Sequence, residues 1–217
     1  MGSEFLPDDY EVPSGSDNYL NMKADGSYRV RILAPPIFGQ VGWSPPAHGQ
    51  KYGKPIRKRD FEPWAPGEAV MDERNTIRHF WIMPVWDYKA KRVKVFEITQ
   101  ATIQRELKKY AKDPDWGTPL NYDVEIIRYN AQGKVAYSVS PKPKSPVPAM
   151  AASAWVDLLD SGFDINRMYA TPENKHGGDP FPGATTAKPA IVSNDDDPFA
   201  DARGEVDDGV SDDDIPF

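Results

Sequence analysis

The chain has no cysteine, and its 217 residues include only three histidines, His48, His79 and His176. Disulfide frameworks, thiolate metal sites and cysteine nucleophiles are thereby excluded, and three scattered imidazoles do not suggest a zinc site. No apolar run is long enough to cross a bilayer and no charged-then-apolar leader opens the sequence, so a soluble, cytoplasmic protein without membrane association is expected. Also missing are a phosphate-binding Gly-Lys-Ser/Thr loop, a Gly-x-Ser-x-Gly elbow and a His-Glu-x-x-His pair. The expectation is therefore a binding protein with no catalytic residue, cofactor or metal.

With 22 prolines, 16 glycines and a mean hydropathy of -0.63, not all of the chain is expected to pack. Residues 1–5 (MGSEF) read as a cloning-site remnant, and 6–26 as an N-terminal extension. The net charge of -7 hides an asymmetry. Residues 23–144 hold 22 Lys and Arg against 13 Asp and Glu, whereas residues 173–217 hold 3 against 12. A basic body suits a ligand with a phosphate backbone, although many solvated surfaces carry a similar excess.

Residues 27–34 (SYRVRILA) alternate, with Tyr28, Val30 and Ile32 on one face and Arg29 and Arg31 on the other, as in a half-buried strand. Pro35-Pro36 ends it. A short second strand is expected at 38–43, followed by a Pro-, Gly- and Lys/Arg-rich insertion at 44–75. Residues 76–88 (TIRHFWIMPVWDY) form a β-branched, aromatic strand with Pro84 at a bulge or edge, and pair with 92–98 across a short turn. A helix capped by Thr99 runs to about residue 112, where Pro114 follows. A second hairpin joins 122–129 to 134–140, with Tyr122, Val124 and Ile126 facing Val135, Tyr137 and Val139. A last helix at 149–159 carries a stripe of Ala151, Trp155, Leu158 and Leu159, and Gly162 stops it.

The expected class is mainly β. The order of short strands with a helix before the last hairpin is read as that of an OB-fold, a five-stranded barrel with a helix between its strands 3 and 4 that commonly binds oligonucleotides. The barrel domain is expected over 27–165, with an extra C-terminal helix. Residues 166–217 are expected to form an acidic tail, disordered from about Thr171 because it has too few apolar residues to offset ordering entropy.

The last six residues, Asp212, Asp213, Asp214, Ile215, Pro216 and Phe217, carry the sharpest signal. Ile215 and Phe217 suit a small apolar pocket, Pro216 restricts the chain, and the carboxylates suit a basic rim. In this terminus the sequence resembles bacterial single-stranded DNA-binding proteins, whose tails end in the same acidic Ile-Pro-Phe pattern. The resemblance implies docking of replication and repair proteins of a bacterial host, and weak competition of the tail for the chain's own DNA groove. An ordinary solubilising tail leaves the apolar triplet unexplained. Asp195-Asp196-Asp197-Pro198-Phe199 is a near-copy, either a weaker docking element or an accident of composition.

Residues 78–143, through RHFWIMPVWDYKAKRVKVFEIT, DPDWGTPLNYDVEIIR and YSVSPKP, resemble the replicative single-stranded DNA-binding proteins of tailed phages. Some of these hold zinc in the insertion before the hairpin. Residues 44–75 contain no cysteine, so a metal-free basic insertion is expected here.

Single-strand binding needs cations for phosphates and flat rings for bases, and any base offers a ring its π-face. The insertion supplies Lys51, Tyr52, Lys54, Arg57, Lys58, Arg59 and Phe61, flanked by Trp43 and Trp64. The second half of the expected DNA site is the hairpin face with Arg78, Phe80, Trp86 and Tyr88, joined by Arg29 and Arg31. Both faces of 76–88 are apolar, so the outward one is not fixed by pattern, whereas Trp81, Phe96, Tyr122 and Tyr137 are in phase with the core. The expected function is sequence-independent coating of single-stranded DNA in replication, recombination and repair. The alternative is a decoy that captures host enzymes through the tail without binding DNA. DNA against RNA preference and oligomeric state stay open.

Overall fold

The computed structural model describes residues 15–70 and 76–182. Seven antiparallel strands form one sheet: β1 (Gly26–Ile32), β2 (Ile37–Trp43), β3 (Pro55–Arg59), β4 (Arg78–Asp87), β5 (Arg92–Ile98), β6 (Tyr122–Ala131) and β7 (Lys134–Lys144). Two helices accompany them, α1 (Ala101–Lys112) and α2 (Ala149–Asp160). The protein is mainly β, and no helix among the described residues is long and apolar enough to cross a membrane.

The strands run in the order β3-β2-β4-β1-β6-β7, with β5 on the other edge of β4. Because β5 takes one edge of β4, β1 and β2 share the opposite edge end to end: Ile32 pairs with Val85, and Ile37 with Ile82. They are two halves of one strand broken at Pro35-Pro36. Leu33 N donates to Pro84 O across this break at 3.0 Å. A strand residue's N–H and C=O point the same way, so the N–H that Pro84 lacks would have faced the break, where no ladder partner waits.

The insertion at 44–75 is more than a loop, since its residues 55–59 form β3 and pair with β2 from Gly39↔Arg59 to Trp43↔Pro55. A Cβ on Gly39 would lie 2.0 Å from Lys58 O, so only glycine admits this approach. The β6–β7 hairpin turns on Gln132 (φ 54) and Gly133 (φ 83), the pair of left-handed residues that a tight hairpin turn requires. β5 and β7 do not pair, and the sheet is open there. α1 contacts both strands across the gap. It starts one residue later than expected, with Gln100 rather than Thr99 at the cap, because Gln100 is the last residue with extended backbone.

Period-two alternation sends one face of this sheet into a first core. Val30, Ile32, Met83, Val85, Phe96 and Ile98 meet Tyr122, Val124, Ile126, Tyr137 and Val139, under Ile103 and Leu107 of α1. Trp81, expected in the core, is partly buried at its margin. The i,i+4 pair from α1 is fully buried, and each such side chain stabilises by about 1.5–3 kcal/mol.

The opposite face of β2, β4 and β5 carries a second core. Val41, Trp43, Phe80, Ile82 and Val95 lie under Phe163, Met168 and Tyr169, with Phe181 packed alongside. Trp86 and Val93 lie under Ala151, with Trp155 and Leu158 beside them. Leu159, expected in the α2 stripe, is exposed, because the helix rests on the sheet through Ala151, Trp155 and Leu158.

Residues 171–182 are docked rather than disordered. The connection through 163–182 is tied down by Ala170 N to Arg57 O (2.7 Å), Asp164 N to Pro180 O (3.0 Å) and Gly178 N to Arg167 O (2.6 Å). Phe181 packs edge-on against Phe163, with ring centroids 5.2 Å apart. Backbone hydrogen bonds and one ring therefore do what the sparse apolar content alone would not.

Candidate nucleic-acid interface

Five of the residues expected to touch DNA are buried beneath or against other segments of the chain. Phe80 (0% exposed), Trp86 and Trp43 belong to the second core and cannot serve as stacking platforms. Arg57 is buried against Glu97, donating from Nη2 at 2.7 Å and from Nε at 3.0 Å. Burial opposes its charge, and the Glu97 carboxylate more than offsets this, holding the guanidinium firmly protonated. Arg31 (0% exposed) donates to Asp123 Oδ1 at 2.6 Å and, from the segment after β7, to Ser145 O at 2.9 Å and Ser145 Oγ at 2.7 Å.

Asp123 also accepts from Arg29, at 2.9 Å and 2.5 Å. Burial pushes the Asp123 carboxyl upward, but hydrogen bonds from Arg29, Tyr88 and Arg31 win and hold it below the ordinary carboxylate value. Arg29 is half-exposed and lies 4.5 Å over the Tyr88 ring. One face of Tyr88 is thus occupied by a cation, and much of the charge on β1 is answered by Asp123.

The basic insertion divides in two. Lys51, Tyr52 and Lys54 are exposed in the 44–54 loop, with the Lys51 ammonium 5.4 Å from the Tyr52 ring centroid. Ser44 N donates to Lys54 O at 2.9 Å and closes this loop at the hairpin's end. On β3, Lys58 is already engaged: it donates to Pro63 O (2.8 Å) and Glu68 Oε2 (2.6 Å) and sits 5.0 Å over the Trp64 ring. Trp64 in turn donates Nε1 to Gln40 Oε1 at 2.7 Å. Arg59 is half-exposed over the Tyr169 ring at 4.3 Å, with Glu62 at 3.5 Å.

Phe61 is the exception to this pattern of engagement. Its ring is 100% exposed, and its backbone sits at φ 74, the left-handed region that L-residues avoid. The turn that places it is closed by Glu62 N to Arg59 O at 3.2 Å. An apolar ring held in strained backbone and given to water has no stabilising role, and such sites cluster where ligands bind.

Strand parity shows what lies around it. On β2, Ile37 and Val41 face the second core, so Phe38 and Gln40 face the other way; on β4, Phe80 and Ile82 face it, so His79 and Trp81 do not. Phe38 is 53% exposed, and its ring centroid lies 6.3 Å from that of His79. His79 Nε2 lies 3.6 Å from Asp60, the residue preceding Phe61. Phe61, Phe38 and His79 therefore share one region of surface. Next to them is a cleft of about 290 Å³ lined by Arg78, His79, Thr99, Gln100, Ala101, Thr102, Gln104 and Arg105.

Of the expected residues, this region unites Phe61 and Arg78. It adds Phe38, His79 and Arg105, which sequence reasoning missed. The signal for Phe38 was available in the parity of β2 once Val41 was assigned inward, whereas Arg105 reaches the cleft only through the placement of α1. The tail motif 212–217 and its near-copy 195–199 lie outside the described residues.

No family model matches this chain. No curated protein and no solved structure matches it significantly either.

Proposed function

We propose that this chain is a single-stranded DNA-binding protein with an OB-type body, and that its C-terminal Asp212–Phe217 segment docks replication and repair proteins. The observation that carries the reading is Phe61, a fully exposed ring in strained backbone on the turn whose Asp60 meets His79, itself against a second exposed ring, Phe38, and lining the Arg78/Arg105 cleft. Rings accept bases without regard to sequence, and guanidinium groups accept phosphates. An OB-type body is supported by the element order, in which β1 and β2 act as one bent first strand, β4 and β5 follow as a hairpin, α1 comes next and β6 and β7 complete the set. α1 lies across the gap between β5 and β7, the position where such a barrel is stoppered.

The likeness of the terminal DDDIPF to bacterial single-strand-binding tails supports the docking half of the proposal. With the hairpin face covered by residues 149–182, the DNA path runs past Phe38, Phe61 and the α1 cleft instead of over Phe80 and Trp86.

The test is titration of the full chain with oligo-dT, followed by anisotropy of a labelled strand at several salt concentrations, with and without residues 212–217. Salt-sensitive binding that tightens on deletion is the expected result, since removing the acidic tail removes a competitor. Absence of binding in both forms refutes the single-strand reading.

A further inference from the structure

α2 carries two apolar stripes, and the sheet accounts for only one of them. The inner stripe, Ala151, Trp155 and Leu158, rests on Trp86 and Val93. The outer stripe is Ala149, Ala152, Val156 and Leu159. At 3.6 residues per turn these four fall within an arc of about 80° on a separate face of the helix. All four are exposed, Val156 by 54% and Leu159 by 45%. Their steps of three, four and three residues are those of the a/d seam along which one helix packs against another. A helix apolar on two sides is ordinarily covered on both.

The charges on α2 are an independent observation, because they oppose its own dipole. Asp157 and Asp160 stand in the last turn, the negative end, which holds no basic residue. The first turn, the positive end, holds no carboxylate, and the capping Pro148 makes no side-chain hydrogen bond. The first intrahelical bond runs from Ala152 N to Pro148 O at 2.9 Å, so the N–H groups ahead of it have no acceptor within the helix. Each end of α2 lacks what the other end of an antiparallel copy supplies.

We propose that the outer stripe is a homodimer seam, in which α2 packs antiparallel against α2 of a second copy of this chain about a two-fold axis. Residue 149 then lies opposite the partner's 159, and 152 opposite the partner's 156. Side-chain sizes fit this register, since an alanine from one protomer meets valine or leucine from the other in every layer. The charges fit it as well. Asp157 and Asp160 come beside the partner's first turn, and the two acidic ends lie far apart. A parallel pair instead stacks alanine on alanine and large on large, and brings four carboxylates to one end. The acidic C-terminal segment of the chain is a poorer occupant, because the carboxylates flanking the stripe repel it. The seam involves neither Phe38 nor Phe61, and it stands or falls apart from the single-strand reading.

The test is sedimentation velocity of the full chain from micromolar to near-millimolar concentration, since one helix pair buries less than a standard-size interface and holds a weak dimer. A reversible monomer–dimer equilibrium is the expected result. Val156→Lys raises its dissociation constant by at least about tenfold, because the substitution acts twice across the two-fold. Val156 lies outside the buried clusters, so in dilute solution the variant melts with the parent, which separates lost association from lost folding. A parent that is monomeric throughout, or a dimer that Val156→Lys leaves unchanged, overturns the seam. Dimers that form only after removal of residues 183–217 assign the stripe to the chain's own C-terminal segment and overturn the proposal.

The orientation is read by disulfide formation, for which the parent supplies no competing cysteine. Ala152→Cys and Val156→Cys proteins, mixed and oxidised, are expected to join to each other in preference to themselves. Preferential joining of like with like overturns the antiparallel register.

Discussion

Replacing Phe61 by glycine is expected to raise stability and lower DNA affinity at the same time. The ring is 100% exposed, so its removal forfeits no buried apolar surface. The backbone at φ 74 is where a side chain costs about 1–2 kcal/mol and glycine costs nothing sterically. Against this stands the greater freedom of glycine in the unfolded chain, about 0.5–1 kcal/mol. The balance is a gain of about 0.5–1 kcal/mol, or roughly 1–4 °C in Tm for a domain of this size.

Binding moves the other way. Loss of one stacked base costs about 1–3 kcal/mol, the range general to single-strand-binding proteins, which corresponds to about a 5- to 150-fold weaker Kd. Because no charge is removed, the salt dependence stays as it was. The assay pairs thermal melting by circular dichroism with oligo-dT titration at two salt concentrations. Phe61→Ala serves as the comparison: it loses the same affinity but keeps the Cβ and hence the strain, so its Tm does not rise. A Phe61→Gly protein that melts below the parent refutes the strain argument, and one that binds oligo-dT as tightly as the parent refutes the stacking role.

Two further outcomes follow from the buried charges. Asp123 is held below its ordinary carboxylate value in the folded state, so its ion pairs with Arg29 and Arg31 stabilise fully above the unfolded value, and this contribution is lost as the pH falls through the depressed folded one. Melting temperature against pH is therefore expected to fall steeply on the acid side in the parent and less steeply in Asp123→Asn, which starts from a lower value at neutral pH; superimposable acid limbs would contradict the assignment. Glu97→Ala leaves the Arg57 guanidinium buried and unpaired beneath the C-terminal segment, at a cost of about 3–5 kcal/mol measurable by urea unfolding, and a loss below about 1 kcal/mol would mean that the pair is solvated.

The two cores explain why the hairpin face was illegible in sequence. A strand buried on one face alternates, and the alternation identifies the inward side. β4 is buried on both, by the first core under Met83 and Val85 and by residues 149–182 over Phe80, Ile82 and Trp86, so it reads as continuously apolar and aromatic. Residues such as Phe80 and Trp86 then resemble exposed platforms as closely as they resemble core. Arg31 misled for a related reason: its alternation with Val30 and Ile32 marks a polar face correctly, but Asp123 and Ser145 close over that face.

Local pattern alone determined the order of strands and helices apart from β3, the inward residues of β1, β6 and β7, the end of α1 before Pro114 and the charge asymmetry between body and tail. These depend on periodicity and on residues that break it, which are properties of neighbours in the chain. Only the tertiary structure decided which cations are already paired, that residues 171–182 dock through Phe181 and backbone hydrogen bonds, and that Phe38, Phe61, His79, Arg78 and Arg105 meet. Those depend on which distant segments arrive at the same place: β2 and β4 bring Phe38 to His79, the turn after β3 brings Asp60 and Phe61, and α1 brings Arg105. No spacing along the chain encodes that meeting, because it is produced by strand pairing and helix packing across separations of tens of residues.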